Sequence, residues 1–285
     1  MKHLFATGIT LLLLMWGITG CSETQKAQSD EAPAFVTIQG KDLVKPNGEK
    51  LFIMGTNLGN WLNPEGYMFK FEKANSARLI NDMFCQLVGP DFTARFWKTF
   101  KDNYVTREDI RFIKSTGANT IRLPFHYKLF TDEDYMGLTA AQDGFQRIDS
   151  LVEWCRESDL YLILDMHDAP GGQTGDNIDD SYGYPWLLES EESQQLFCDI
   201  WRRIADRYKN EPVILGYELM NEPIAPYFDN VAELNSKLEA VYKRGVKAIR
   251  EVDTNHIVLL GGAQWNGNFS VFGDSKFDDK LMYTC

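Results

Sequence analysis

Apolar residues recur along this chain in short runs separated by stretches of helical spacing. Six such runs follow one another from residue 51 onward, at 51–54, 120–123, 161–166, 213–220, 257–260 and 281–285. Continuous apolar runs of this length predict parallel strands buried on both faces. Helical periods lie between them. Thr106 is placed to cap a helix reaching Ser115, with Glu108 and Asp109 in its first turn. Phe145, Ile148, Leu151, Val152 and Cys155 share one helical face, as do Leu196, Ile200, Ile204 and Tyr208, and later Leu234, Leu238, Val241, Val246 and Ile249. Strand and helix in alternation predict a parallel α/β fold. Residues 36–45, followed by Pro46-Asn47-Gly48, read as a hairpin arm that could plug the bottom of a barrel.

An open doubly wound sheet and a closed barrel compete for this pattern. Gly55 and Gly59 follow the first run, but not in the spacing of a dinucleotide-binding turn. Polar residues instead recur at the C-terminal ends of several strands: Asn57, Arg122, His167 and the pair Asn221-Glu222. That distribution is what the active face of a (β/α)8 TIM barrel requires. About six βα units are countable and the sequence ends inside an apolar strand. The expectation is that residues 35–285 are the N-terminal three quarters of a barrel, truncated at the C-terminus.

The first 21 residues read as an address. Lys2 precedes a short apolar run, and Ile18-Thr19-Gly20-Cys21 resembles the lipobox of a bacterial lipoprotein signal peptide. Cys21 is then the lipid attachment site, residues 22–34 form a flexible tether, and the protein is exported and anchored to a bacterial membrane, at the periplasmic face or the cell surface.

A hydrophobic fraction of 44% supplies one large core. The formal net charge of -12 argues against nucleic acid as a partner. Neither Cys85, Cys155, Cys198 and Cys285 nor the four histidines fall at metal-site spacing, so no metal and no cofactor are expected, and no disulfide is assigned. Asp176, Asp179 and Asp180 lack the spacing of a calcium loop and read as solvated acids. Aromatic residues at 13% suit sugar-binding surfaces as well as barrel packing.

Hydrolysis of a glycosidic bond needs two carboxyl groups, one to protonate the leaving oxygen and one to attack carbon or activate water. Glu222, before Pro223 at the end of the fourth core run, is placed to be the acid/base, with Asn221 beside it to donate to a sugar hydroxyl. The segment Tyr217-Glu218-Leu219-Met220-Asn221-Glu222-Pro223 resembles the acid/base strand of glycoside hydrolase family 5. Ile121-Arg122-Leu123-Pro124 resembles that family's second strand, Asp165-Met166-His167-Asp168 its third, and the segment from Gly55 to Leu62 the first strand of its exo-β-1,3-glucanase-like branch. The motifs come in the family's order across roughly residues 36 to 285.

The resemblance implies a retaining double displacement on a β-linked glucan or glucoside, with Glu222 as acid/base and the nucleophilic glutamate on a seventh strand beyond residue 285. It implies roles in substrate binding for Asn221, Arg122 and His167, and the reading adds His126, Asn57, Trp186 and Trp265. A structural salt bridge, with Glu218 as its partner, is the alternative reading of Arg122, and both can hold. A non-catalytic surface glycan-binding lipoprotein on a degenerate barrel is the alternative function. Which β-glycan is bound, and exo versus endo action, stay open at this level.

Overall fold

A computed structural model describes residues 35–137, 143–273 and 276–285. The leader, Cys21 and the tether lie outside the described residues. The described chain opens with three short antiparallel strands, β1 (Thr37–Gln39), β2 (Asp42–Val44) and β3 (Lys50–Leu51), paired in that order. Gly48 closes the turn before β3. Its φ is +85°, a backbone state that glycine adopts without a Cβ penalty, and its N–H donates to the Lys45 carbonyl at 2.9 Å. Val36 and Leu51 pack with Ile163, Leu215, Ile257 and Leu259, residues near the beginnings of the barrel strands. The arm therefore plugs the bottom of the sheet cylinder.

The main sheet has six parallel strands in sequential order: β4 (Gly55–Asn57), β5 (Thr120–His126), β6 (Tyr161–Asp168), β7 (Ile214–Glu218), β8 (Ile257–Gly261) and β9 (Leu281–Thr284). Strands that follow chain order without reversal make a barrel wall, whereas a doubly wound sheet reverses its order at a switch point. A complete barrel of this class has eight strands.

Among the described residues six helices of two turns or more accompany them: α1 (Ala77–Val88), α2 (Pro90–Asn103), α3 (Arg107–Ser115), α4 (Asp143–Glu157), α5 (Glu191–Tyr208) and α6 (Val231–Arg250). α3 starts at a capping box in which Thr106 and Asp109 exchange side-chain-to-backbone hydrogen bonds. α5 turns Phe197, Ile200, Trp201 and Ile204 into the core, each fully covered and each contributing about 1.5–3 kcal/mol of burial. Trp61, Trp97 and Trp201 are likewise core residues. No described helix is long and apolar enough to cross a membrane.

Three sequence expectations need correction. The run at 51–54 is not one parallel strand. Leu51 ends β3, while Phe52, Ile53 and Met54 are exposed and lead into β4. The side chain of Asn119 divides the run by bonding the Phe52 carbonyl at 2.7 Å and the Met54 N–H at 3.0 Å. The fourth core run stops being a strand at Glu218, so Glu222 lies in the following turn. Single bonds continue past that point, Leu219 N–H to the Leu259 carbonyl and Asn221 N–H to the Met166 carbonyl, and keep the turn fastened to the neighbouring strands. Finally, α1 and α2 form a helical pair inserted between β4 and α3, a length of helix that the helical pattern around Trp97 does not by itself predict. Pro90 starts α2 at its first turn and Gly89, with φ +85°, makes the corner.

Candidate active site

The face where the parallel strands end carries a cavity of about 340 Å³. Asn57, Arg122, His167, Asn221 and Glu222 all line it, together with Glu65 and Asp168. Five polar residues from four separate strands thus converge in one place, with Arg122 coming from within β5 rather than from its C-terminal end as expected.

Arg122 is the hub. Its Nε donates to Glu218 Oε2 at 2.6 Å and its Nη2 to Glu218 Oε1 at 2.8 Å, a bidentate pair. The same Nη2 lies 2.9 Å from Asn221 Oδ1 and 3.0 Å from Asp165 Oδ2. Asp165 and Glu218 are almost wholly buried, so two carboxylates share one guanidinium in a low-dielectric setting. Burial works against the Arg122 charge, but Asp165, Glu218 and Glu222 together hold its pKa above the ordinary guanidinium value. The salt-bridge reading and the site reading of Arg122 therefore describe the same residue.

Asp165 and His167 project to the same side of β6, two residues apart. The Nδ1 of His167 lies 2.7 Å from Asp165 Oδ2, which places the proton on Nδ1. Its Nε2 then presents a lone pair to Asn221 Nδ2 at 3.3 Å. The four residues make a closed circuit: Arg122 to Asp165, Asp165 to His167, His167 to Asn221, and Asn221 back to Arg122. One consequence is a fixed amide orientation at Asn221. Its oxygen faces Arg122, and its NH2 keeps one hydrogen for the cavity. Burial disfavours the charged imidazolium, but Asp165 outweighs that effect and the His167 pKa is raised.

Glu222 is exposed on the cavity wall and has a left-handed backbone, with φ +45°. A non-glycine residue in that region is held there by its surroundings. Here the hydroxyl of Thr174 donates to the Glu222 carbonyl at 2.8 Å. The side chain of Gln173 bonds the carbonyls of His167 and Asn221 at 2.7 and 2.8 Å, tying the ends of β6 and β7 together. Gln173 and Thr174 follow β6 in the loop that also holds Asp179. That carboxylate accepts backbone N–H groups of Thr174, Gly175 and Ser181.

Asp179 and Asp180 are buried rather than solvated, correcting the expectation for this acidic stretch. Asp180 Oδ2 lies 3.1 Å from His126 Nε2, and Asp168 Oδ2 lies 3.3 Å from the same nitrogen. His126 does not reach the cavity and is wholly covered. The ladder between β5 and β6 shifts register after Phe125, where His126 pairs with Asp168, and the imidazole is engaged by Asp168 and Asp180 instead of the cavity. Its Nδ1 accepts the Lys128 N–H at 3.1 Å, which leaves a neutral ring with the proton on Nε2, donated to Asp180. Burial holds the His126 pKa below the ordinary histidine value, in keeping with that neutral ring. Burial and the neighbouring Asp180 push the Asp168 carboxyl well above the usual carboxylate range.

The expected aromatic residues lie farther out. Trp186 and Trp265 are 49% and 45% exposed, and neither lines the cavity. Trp265 has Tyr227 as its ring neighbour, with centroids 6.3 Å apart.

Glu65 is the residue the sequence reading missed. It is 5% exposed, lines the cavity, and places Oε1 3.6 Å from His167 Nε2. Burial raises its pKa, with Glu222 and Asp165 adding to the rise and His167 opposing it. No periodicity marks position 65. The available signal was its place just beyond the Gly55 to Leu62 segment. Its N–H is held by the Asn60 side chain at 3.1 Å, and Asn60 has a left-handed backbone with φ +64°.

Comparison with known proteins adds the following. A model of the cellulase family, glycosyl hydrolase family 5, matches residues 84–285. A β-xylosidase of Phanerodontia chrysosporium is 31% identical over 244 residues, covering 85% of this chain and 49% of the relative. Endoglucanase C of Acetivibrio thermocellus is 35% identical over 187 residues, covering 66% and 51%. The crystal structure of endoglucanase Cel5A from Thermotoga maritima superposes with a TM-score of 0.52 at 20% identity, over 80% of this chain and 59% of that one. It speaks to the fold alone. The chain spans about half the length of the curated relatives it matches.

Proposed function

The chain belongs to the cellulase family, glycosyl hydrolase family 5, and on that premise we propose that the protein carrying it hydrolyses β-glycosidic bonds of a glucan or glucoside by double displacement. The observation that carries the reading is the convergence of Glu222, Asn221, Arg122 and His167 on one cavity at the strand ends. In the first step a nucleophilic carboxylate attacks the anomeric carbon, and Glu222 gives its proton to the departing glycosidic oxygen. In the second step Glu222 takes a proton from water, which displaces the carboxylate and releases the sugar. In this reading the nucleophile is the glutamate that the family resemblance implies at the end of a seventh strand, beyond residue 285. The two carboxyls are then about 5–5.5 Å apart.

The remaining residues orient. Asn221 offers its free amide hydrogen to the sugar hydroxyl next to the anomeric carbon. Arg122, already bonded to Glu218 and Asp165, gives the nucleophile a cation that favours its ionised form. His167 holds Asn221 from behind, and Asn57 and Glu65 present polar groups across the cavity.

The relative named endoglucanase supports a β-glucan as substrate. The resemblance of the segment from Gly55 to Leu62 favours a β-1,3-linked chain or an alkyl or aryl glucoside. The lipobox-like Ile18-Thr19-Gly20-Cys21 supports anchorage to a bacterial membrane through Cys21.

The test is proton NMR of the intact protein acting on an aryl β-glucoside and on β-1,3- and β-1,4-glucans. First release of the β-anomer supports the reading. First release of the α-anomer, or binding of glycan with no hydrolysis, contradicts it, and the latter outcome returns the protein to the class of non-catalytic glycan binders.

A further inference from the structure

Beside the cleft lies a second hollow, of about 190 Å³, and Asp179 borders both. One side of it is the turn at Gly171 and Gly172. Both glycines have left-handed backbone, with φ +80° and +77°. A Cβ on Gly171 would come within 2.7 Å of Ser193 Oγ, and one on Gly172 within 2.4 Å of Ser181 Cβ. The turn is packed as tightly as glycine allows, so this wall of the hollow is fixed backbone.

Two aromatic residues line the hollow and are open to solvent. Trp186 is 49% exposed and Tyr182 is 78% exposed. Exposed rings occur elsewhere on this chain, but these two line one concave hollow. Tyr184 flanks Trp186 at 4.9 Å between centroids, tilted by 58°, which steadies the indole. The Arg78 guanidinium lies 4.6 Å from the Tyr182 ring centroid, and its Nε is buried without a hydrogen-bond partner. Lys128 Nζ and Glu133 Oε2 stand 3.7 Å apart on the same rim.

Ring faces next to both donors and acceptors complement a pyranose, which offers a C–H face and a circle of hydroxyls. A purely apolar ligand would strip water from Arg78, Lys128 and Glu133 without replacing its hydrogen bonds. An anionic ligand would meet Glu133, Asp179 and Asp180 on the same walls. A neutral sugar satisfies both sets.

We infer that this hollow is an accessory subsite that binds one neutral pyranose unit of a β-glycan extending from the cleft, its ring on Trp186 and its hydroxyls on Arg78, Lys128 and Glu133. The inference rests on the glycan reading of the cleft and adds a second contact region to it.

Calorimetry tests it, with gluco-trisaccharides and hexasaccharides in β-1,3 and β-1,4 linkage as probes, on intact protein carrying Glu222→Gln so that the sugar is not consumed. The expected result is tighter binding of the hexasaccharide in one linkage series. That gain with length should shrink by about tenfold in Trp186→Ala, and shrink also in Arg78→Ala, whose side chain packs on the opposite ring. An equal gain in the parent and both variants, or no gain in the parent, overturns the subsite. The cleft chemistry is read separately, because hydrolysis that persists in full after Glu222→Gln sinks the proposed reaction whatever the length dependence of binding.

Discussion

Asp165 Oδ2 lies 2.7 Å from His167 Nδ1, and the same oxygen lies 3.0 Å from Arg122 Nη2. One carboxylate oxygen thus fixes the imidazole tautomer and the guanidinium position together. Asp165→Asn keeps the shape and removes the charge. Arg122 retains Glu218, so the loss is partial, on the scale of a hydrogen bond to a charged group, about 1.5–3 kcal/mol. Urea denaturation at neutral pH measures it.

The same pair sets a pH dependence. The folded-state pKa of His167 is raised, so its stabilisation is complete below the unfolded value of about 6.5 and is lost as pH rises through the raised folded value. Unfolding free energy measured from pH 6 upward should show this decline in the parent and a flatter course in Asp165→Asn. A parallel course in both contradicts the assignment.

Arg122→Met leaves Glu218 and Asp165 buried with no guanidinium. Breaking a buried pair from one side costs about 3–5 kcal/mol. Adding Glu218→Gln to Arg122→Met should recover part of that loss, because one of the stranded charges disappears. Thermal unfolding of the single and double variants checks both signs.

Much of this site was legible in the sequence, and the reasons are local. His167 and Asn221-Glu222 each follow an apolar run and Arg122 interrupts one, so strand period and barrel geometry bring them to one face. The convergence of Asn57 follows from the same rule. His126 obeyed the rule in sequence and departs from it in space, where Asp168 and Asp180 engage its ring beside a one-residue register shift after Phe125. A slip of that kind leaves no mark on composition or period. Glu65 was illegible because a loop with left-handed Asn60, and not a strand, delivers it. The α1–α2 pair was legible only around Trp97, although Ile80 and Phe84 also stand at helical spacing, because exposed apolar residues, Leu87 and Val88 on α1 and Phe92 and Phe96 on α2, blur the polar side of both helices.

Asp168 offers a test of the His126 cluster. Its pKa is raised by burial and by Asp180, so its contribution to stability is present below the unfolded carboxylate value and lost as pH rises through the folded value. Asp168→Asn replaces the carboxyl by a neutral group of the same shape. Its stability relative to the parent should rise with pH, reaching a gain of about 0.5–2 kcal/mol at pH 8. Denaturation at pH 4 and pH 8 measures the difference, and a gain confined to pH 4 has the wrong sign.

Anchorage through Cys21 predicts that the protein, expressed in a bacterium, takes up labelled palmitate and sediments with membranes. Cys21→Ser should abolish the label and release the protein to the soluble fraction. Labelling that persists in the variant refutes the lipobox.

The central claim, that Glu222 delivers and recovers the proton, is tested most directly by Glu222→Gln in the intact protein on aryl β-glucosides of differing leaving-group acidity. Loss of general acid/base catalysis costs about 10²–10⁴-fold. The account predicts a loss of that size on poor leaving groups, a much smaller one on activated aryl groups, and recovery with a β-glycosyl azide product when azide replaces water in the second step. An unchanged rate on unactivated glucan would contradict it.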